Sequence, residues 1–250
     1  MQIKLLPGKL LNEEGNLFQA GYANSLVKEY DRNAIKAGKM RIKEWDYYYV
    51  GNSKNGVALT IADNSYMSLC SLSFLDFEKK VDNTKSVINF FSFGKLNLPK
   101  TSKEGDVHFK NKKVEMNFVH ENGKRHLTCS WKKFTKDKKD VRLDLYLEET
   151  NQDSIVVATP FDKPKHFYYN QKINCLMANG YVKVGEDIYS FNENSWGVLD
   201  WGRGVWTYKN TWFWSSMSGV FEGNRIGFNL GYGFGDNTSH SENIFFYDDK

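Results

Sequence analysis

The feature that most constrains this chain is a hydrophobic period of two. Between 141 and 147, Val141, Leu143, Leu145 and Leu147 alternate with Arg142, Asp144 and Tyr146. Successive side chains of a strand point to opposite faces, so the pattern turns one apolar face inward and predicts a half-buried β-strand. Val114–His120 and Arg125–Trp131 flank Glu121-Asn122-Gly123-Lys124. Asn-Gly tolerates the positive φ of a tight turn, which predicts a β-hairpin there. Asn55-Gly56, between Tyr47–Val50 and Val57–Ile61, gives a second hairpin signal, and Thr150–Asp153 and Glu222–Asn224 give two more. Punctuation this frequent predicts an all-β antiparallel sandwich or barrel rather than alternating β and α units. The best helical candidate is a short one over 24–36.

Composition narrows the class further. A chain of 250 residues can bury most of its apolar surface without covalent staples. With 16% aromatics it is not a disordered chain, and 20 Gly with 4 Pro exclude a collagen-like or linker-dominated one. The 34 Lys and Arg against 30 Asp and Glu leave +4 with the signs mixed, which argues against a dedicated nucleic-acid binder. The lysine-rich stretch 131–140 reads as a solvated hairpin tip. Cys70, Cys129 and Cys175 are scattered and odd in number, with no CxxC or Cys/His cluster. Neither a disulfide framework nor a zinc site is indicated, and buried thiols in a reducing compartment are expected. The N-terminus lacks the apolar core of a signal peptide, and no run of about 18 apolar residues exists to cross a membrane. The expected localisation is cytoplasmic.

Most chemistry-bearing motifs are missing. There is no GxxxxGK[ST] phosphate loop and no GxSxG nucleophile elbow, and His120-Glu121 is followed by Lys124 where a zinc protease requires its second histidine. The histidines form no ligand spacing. Gly231-Tyr-Gly-Phe-Gly-Asp236 has glycine at every second position, which lets a ring or another backbone approach one strand face. Past a composition change near Pro160–Pro164, charge thins, and five of the seven Trp fall between 196 and 214. Asp200, Trp201, Arg203, Trp206 and Trp214 are compressed into this stretch, and Asp236 and Glu242 flank the polar turn beyond it. Such a set suits a ligand pocket with aromatic walls and a charged floor. It also suits an Arg–Asp pair that closes a barrel end, with Trp as core.

Four blocks carry a resemblance. Leu199–Tyr208, Asn229–Asp236 with Ser241-Glu-Asn243, Lys43–Tyr48 and Phe167–Lys172 resemble the DUF2804 family over nearly the whole chain. That family is similar at a distance to carotenoid 1,2-hydratases, to AttH proteins and to yeast survival-factor proteins implicated in ceramide transfer. The resemblance implies two lipocalin-like (calycin) antiparallel β-barrels side by side, one over 1–162 and one over 163–250. In the family a further strand-rich segment follows the Ser-Glu-Asn motif, whereas here only Phe245–Lys250 remain. The expectation is a second barrel truncated at its C-terminus, with a turn at Asp248-Asp249-Lys250 and an unpaired aromatic edge. No catalytic residue transfers, because the acid of a hydratase aligns with no position here.

The leading functional expectation is a binder of a hydrophobic small molecule or lipid inside a barrel. Trp201, Trp206 and Trp214 would form the wall, and Arg203 with Asp200 would anchor a polar head group. One rival is a hydratase- or isomerase-like enzyme with Asp200, Asp236 or Glu242 as a buried general acid. Others are a carbohydrate-binding or carbohydrate-active module and a purely structural pair of barrels. No metal, no cofactor, no nucleic-acid partner and no integral membrane segment are expected.

Overall fold

The computed structural model describes residues 1–149 and 153–248. Three short strands come first: β1 (Gly8–Lys9), β2 (Gly21–Ala23) and β3 (Lys28–Glu29). Four long ones follow, β4 (Ile42–Gly51), β5 (Asn55–Asp63), β6 (Met67–Asp76) and β7 (Val81–Phe90). Next come β8 (Val107–Lys110), β9 (Val114–Glu121), β10 (Lys124–Trp131), β11 (Val141–Glu148) and β12 (Ile155–Pro160). The last six are β13 (Phe167–Val184), β14 (Asp187–Phe191), β15 (Trp196–Val205), β16 (Phe213–Phe221), β17 (Asn224–Tyr232) and β18 (Ile244–Tyr247). The chain is all-β.

Thirteen of these strands form one sheet whose main path runs β7-β6-β5-β4-β15-β13-β11-β10-β9-β8. The sheet curls until its two wings face each other across one interior. Tyr48 of β4 packs on Phe118 of β9 at 4.9 Å, and Cys70 of β6 lies 3.8 Å from Met116 of β9. The 18-residue β13 is the spine. One of its edges pairs with β12 and then β11, and the other pairs with β15 and then β14. A bulge interrupts its pairing with β15 between Ile173 and Leu176. β16, β17 and β18 form a separate antiparallel sheet. Residues 161–166 only turn β12 back onto β13, so one sheet runs through both 1–162 and 163–250.

The interior of the curl is packed mainly with apolar side chains, with the buried charges of Glu44, Asp46, Arg125 and Arg203 among them. Leu59, Leu72, Met116, Leu127, Leu145, Val182, Leu199 and Trp201 are completely buried there. Each such aliphatic contributes about 1.5–3 kcal/mol, whereas an exposed ion pair such as Lys54–Glu78 contributes about 0–1 kcal/mol. The period of two is therefore what drives the fold, and Val141, Leu143, Leu145 and Leu147 all point inward. Asn122 (φ 52°) and Gly123 (φ 73°) make the turn between β9 and β10, and Glu222 (φ 50°) with Gly223 (φ 81°) make the one between β16 and β17.

Three local expectations are corrected. Asn55 and Gly56 lie inside β5. The reversal occurs earlier, because the Asn52 carboxamide oxygen accepts the amides of Lys54 and Asn55 at 2.9 Å each and nucleates the turn itself. The helix over 24–36 is an extended strap with one 3-10 turn at Arg32–Ala34. Its backbone groups find tertiary partners instead: Lys28–Glu29 pair with β1, and the Tyr169 hydroxyl bridges the Lys28 amide and carbonyl. The turns expected at 150–153 and 248–250 fall mostly outside the described residues.

The third correction concerns Arg203, whose carboxylate partner is Asp46 on β4, at 2.9 Å, and not Asp200. Residues 200 and 203 are three apart on one strand, so their side chains leave opposite faces. Arg203 is fully buried, and its guanidinium stacks 4.3 Å over the Trp201 ring. It donates to the carbonyls of Trp45 (2.7 Å) and Pro99 (2.9 and 3.2 Å), pinning the β7–β8 connection across the barrel end. Arg203→Ala strands a buried carboxylate and is expected to destabilise the fold by about 3–5 kcal/mol in urea unfolding. A double-mutant cycle should show coupling between Arg203 and Asp46, and additivity to within about 0.5 kcal/mol between Arg203 and Asp200.

Candidate functional site

The outer face of the curled sheet carries a second, smaller cluster of packed side chains. β16 and β17 lie over β4, β5, β13 and β15 and enclose a half-open cavity of about 490 Å³. The bulge in β13 fastens this cover. Bulges re-aim side chains out of the ladder, and here Asn174 donates to the Ser216 hydroxyl (2.7 Å) and the Phe228 carbonyl (3.0 Å). The Cys175 amide donates to the Ser218 hydroxyl at 2.9 Å.

The cavity wall is aromatic. Trp45 stacks on Tyr168 with centroids 5.9 Å apart and planes 11° apart. Trp206 meets Trp45 edge-on at 5.2 Å and Phe234 at 4.8 Å, and Trp212 closes on Phe234 at 5.6 Å. Trp214 reaches in from the cover, packs on Tyr47 at 6.0 Å and donates its indole N–H to the Asn229 side chain at 2.6 Å. Trp45 can lie flat across β15 only because residue 202 is glycine: a Cβ there would stand 2.0 Å from the indole.

One end of the cavity is polar. Lys172 is 2% exposed. Its ammonium donates to the Asn170 carboxamide oxygen (2.6 Å), the Tyr168 hydroxyl (3.0 Å) and the Asp200 carboxylate (3.2 Å). Glu242 stands 3.8 Å away, and the rings of Tyr168 and Trp214 each lie 5.6 Å from the ammonium. Asn170 also donates to the same Asp200 oxygen, Oδ1, at 2.6 Å. Gly231 makes room for Glu242, since a Cβ would sit 2.6 Å from its carboxylate oxygen. Burial holds the Glu242 carboxyl above its usual range. The Lys172 ammonium opposes that rise, and the Asp200 charge adds to it. Burial, with Asp200 beside it, also pushes the Tyr47 phenol up to about 12.

Of the residues singled out in the sequence, Asp200, Trp206, Trp214 and Glu242 converge on this cavity. Trp201 and Arg203 do not: they point from the other face of β15 into the filled interior. Asp236 is exposed, and its carboxylate accepts the Thr238 amide, a bond that holds it below the usual carboxylate range. Lys172, Asn170, Tyr168, Trp45 and Tyr47 were not singled out. The signal for them is the same alternation, because Tyr168, Asn170 and Lys172 share one face of β13, as Trp45 and Tyr47 share one face of β4. No group of three or more His, Cys, Asp or Glu among the described residues is placed to hold a metal ion. No described helix is long and apolar enough to cross a membrane.

Fold and site together define an all-β protein built on a curled antiparallel sheet, with an aromatic pocket on its outer face and a buried ammonium–carboxylate cluster at one end. The chain belongs to DUF2804, a domain of unknown function whose family model matches residues 1–250. Among solved structures it is similar to a protein from Nitrosomonas europaea described as AttH, at a TM-score of 0.51 and 13% identity, covering 88% of this chain and 72% of that one. It is also similar to kievitone hydratase from Nectria haematococca, at a TM-score of 0.44 and 13% identity, covering 98% of this chain and 72% of that one. At 13% identity the likeness to the Nitrosomonas europaea protein bears on the fold alone. No curated protein matches the sequence.

Gly202→Ala tests the wall. The methyl group must displace Trp45, so the variant should lose about 1–3 kcal/mol of stability and alter the near-UV circular dichroism of the Trp cluster. An unchanged spectrum would mean that Trp45 does not lie across β15.

Proposed function

We propose that this protein binds a small, apolar, ring-bearing molecule in the cavity between the two sheets, with one polar group of the ligand meeting the Lys172–Asp200–Glu242 cluster. A single observation carries the reading: a buried ammonium with two carboxylates opens toward an aromatic-walled space of about 490 Å³. That volume lies within the range of about 300–1,000 Å³ typical of small-molecule sites, and a few convergent polar groups in an apolar lining are their usual chemistry. The interior of the curled sheet is filled with side chains, which supports the outer pocket rather than the barrel lumen as the binding site. Asp200 and Glu242 attend the same ammonium, at 3.2 and 3.8 Å, so they share one end of the pocket.

Acid–base catalysis is the second reading, favoured by Glu242. A carboxyl that burial raises above its usual range, beside an apolar slot, is the kind of group that delivers a proton to an alkene or enol. Native mass spectrometry of the purified protein, with tryptophan fluorescence across a panel of lipids and aromatic compounds, tests both readings. Binding should quench the Trp cluster, and Trp214→Ala should weaken it about tenfold, the worth of one lost aromatic contact and its buried area. No retained or added ligand, with unchanged fluorescence throughout, would overturn the binding reading. If the site is catalytic, Glu242→Gln retains ligand and loses turnover.

A further inference from the structure

Lys43 lines the same cavity. Lys43, Trp45 and Tyr47 leave one face of β4. Pairing with β15 sets Tyr47 opposite Asp200 and Lys43 opposite Gly204. At about 3.3 Å per residue, the Lys43 position lies about 13 Å along the strand from that of Tyr47, so it marks the end of the cavity away from Lys172. The two lysines are differently satisfied. Lys172 is surrounded by Tyr168, Asn170, Asp200 and Glu242. The Lys43 ammonium instead lies over rings, 4.8 Å from the centroid of Tyr66 and 5.4 Å from that of Trp206. Among the described residues, no carboxylate comes within 4.0 Å of it.

Arg41 adds a second positive charge at this end. It too lacks a carboxylate among the described residues. Two of its N–H groups are spent on the Trp206 carbonyl, at 2.9 and 3.1 Å, and its guanidinium lies 5.7 Å from the Tyr208 ring. Burial, with Arg41 nearby, brings the Lys43 ammonium down to about 8, the behaviour of a cation without its anion. A protein that desolvates a cation normally pairs it, and here the space in front of the cation is the ligand's.

On the pocket reading given above, we infer that the ligand is an aromatic or conjugated carboxylate, its carboxylate paired with Lys43 and its flat body lying along Trp45, edge-on to Trp206, toward Lys172. A monoanion suits the site better than a phosphate ester, which is usually held by helix N-termini or by several donors in a fork. Here Lys43 is the cation that lines this end of the cavity, and the nearby Arg41 guanidinium turns two of its N–H groups to the Trp206 carbonyl.

Calorimetric titration of the full chain with 6-hydroxy-2-naphthoic acid and with its primary amide tests this. The two compounds share shape and ring system and differ in the charge that would meet Lys43. The acid should bind at least about tenfold tighter, as expected of a charge-assisted hydrogen bond in a partly desolvated site. Lys43→Gln should bring the acid-to-amide ratio close to one, and Lys43→Arg should keep it well above one. Equal affinities in the wild-type protein, or a preference that survives in K43Q, would overturn the carboxylate assignment and leave the pocket reading standing. Binding of neither compound would count against both.

Discussion

Strand β15 has two faces with opposite duties, and the organisation of the molecule depends on keeping them apart. Leu199, Trp201 and Arg203 turn into the filled interior of the curled sheet, while Asp200 and Gly202 turn out to the cavity. A shift of one residue would place a guanidinium in the pocket and a glycine in the core. The Arg203–Asp46 pair opposes such a shift, because an unpaired buried charge costs several kcal/mol. β13 repeats the division: Tyr169 packs on Trp201 inside, and Tyr168 stacks on Trp45 outside.

The same alternation explains what could be read from the residues and what could not. Val141–Leu147 and the Asn122-Gly123 turn are local patterns whose meaning does not depend on distant chain, and they were legible. The 24–36 segment was not, because its backbone partners are β1 and the Tyr169 hydroxyl, 141 residues from Lys28. Parity along 200–203 already separates Asp200 from Arg203, yet closeness in sequence suggested a pair. Lys172 was hidden for a different reason. A lysine on an outward strand face reads as solvated, and only the cover supplied by β16 and β17, beginning some forty residues later, buries it.

Electrostatics in the cavity follow from how each charge lost its water. Lys172 is compensated by two carboxylates, a carboxamide and a phenol, while burial raises the Glu242 carboxyl and the Tyr168 phenol beside it. Lys43 gained aromatic faces but no anion, and such faces replace only part of a hydration shell. The cavity is thus polarised along its length, with two carboxyls around one ammonium at one end and positive charge without a carboxylate partner at the other.

The cover and the curled sheet share no strand ladder among the described residues. Asn174 and the Cys175 amide hold one end, and the chain between β17 and β18 is moored by Asp236 to the Pro160 carbonyl and by His240 to Thr159. A ladder resists separation cooperatively, whereas scattered moorings yield one at a time. The roof of the cavity is therefore a less cooperative unit than its floor, and guest molecules of different thickness meet a compliant ceiling over a rigid base.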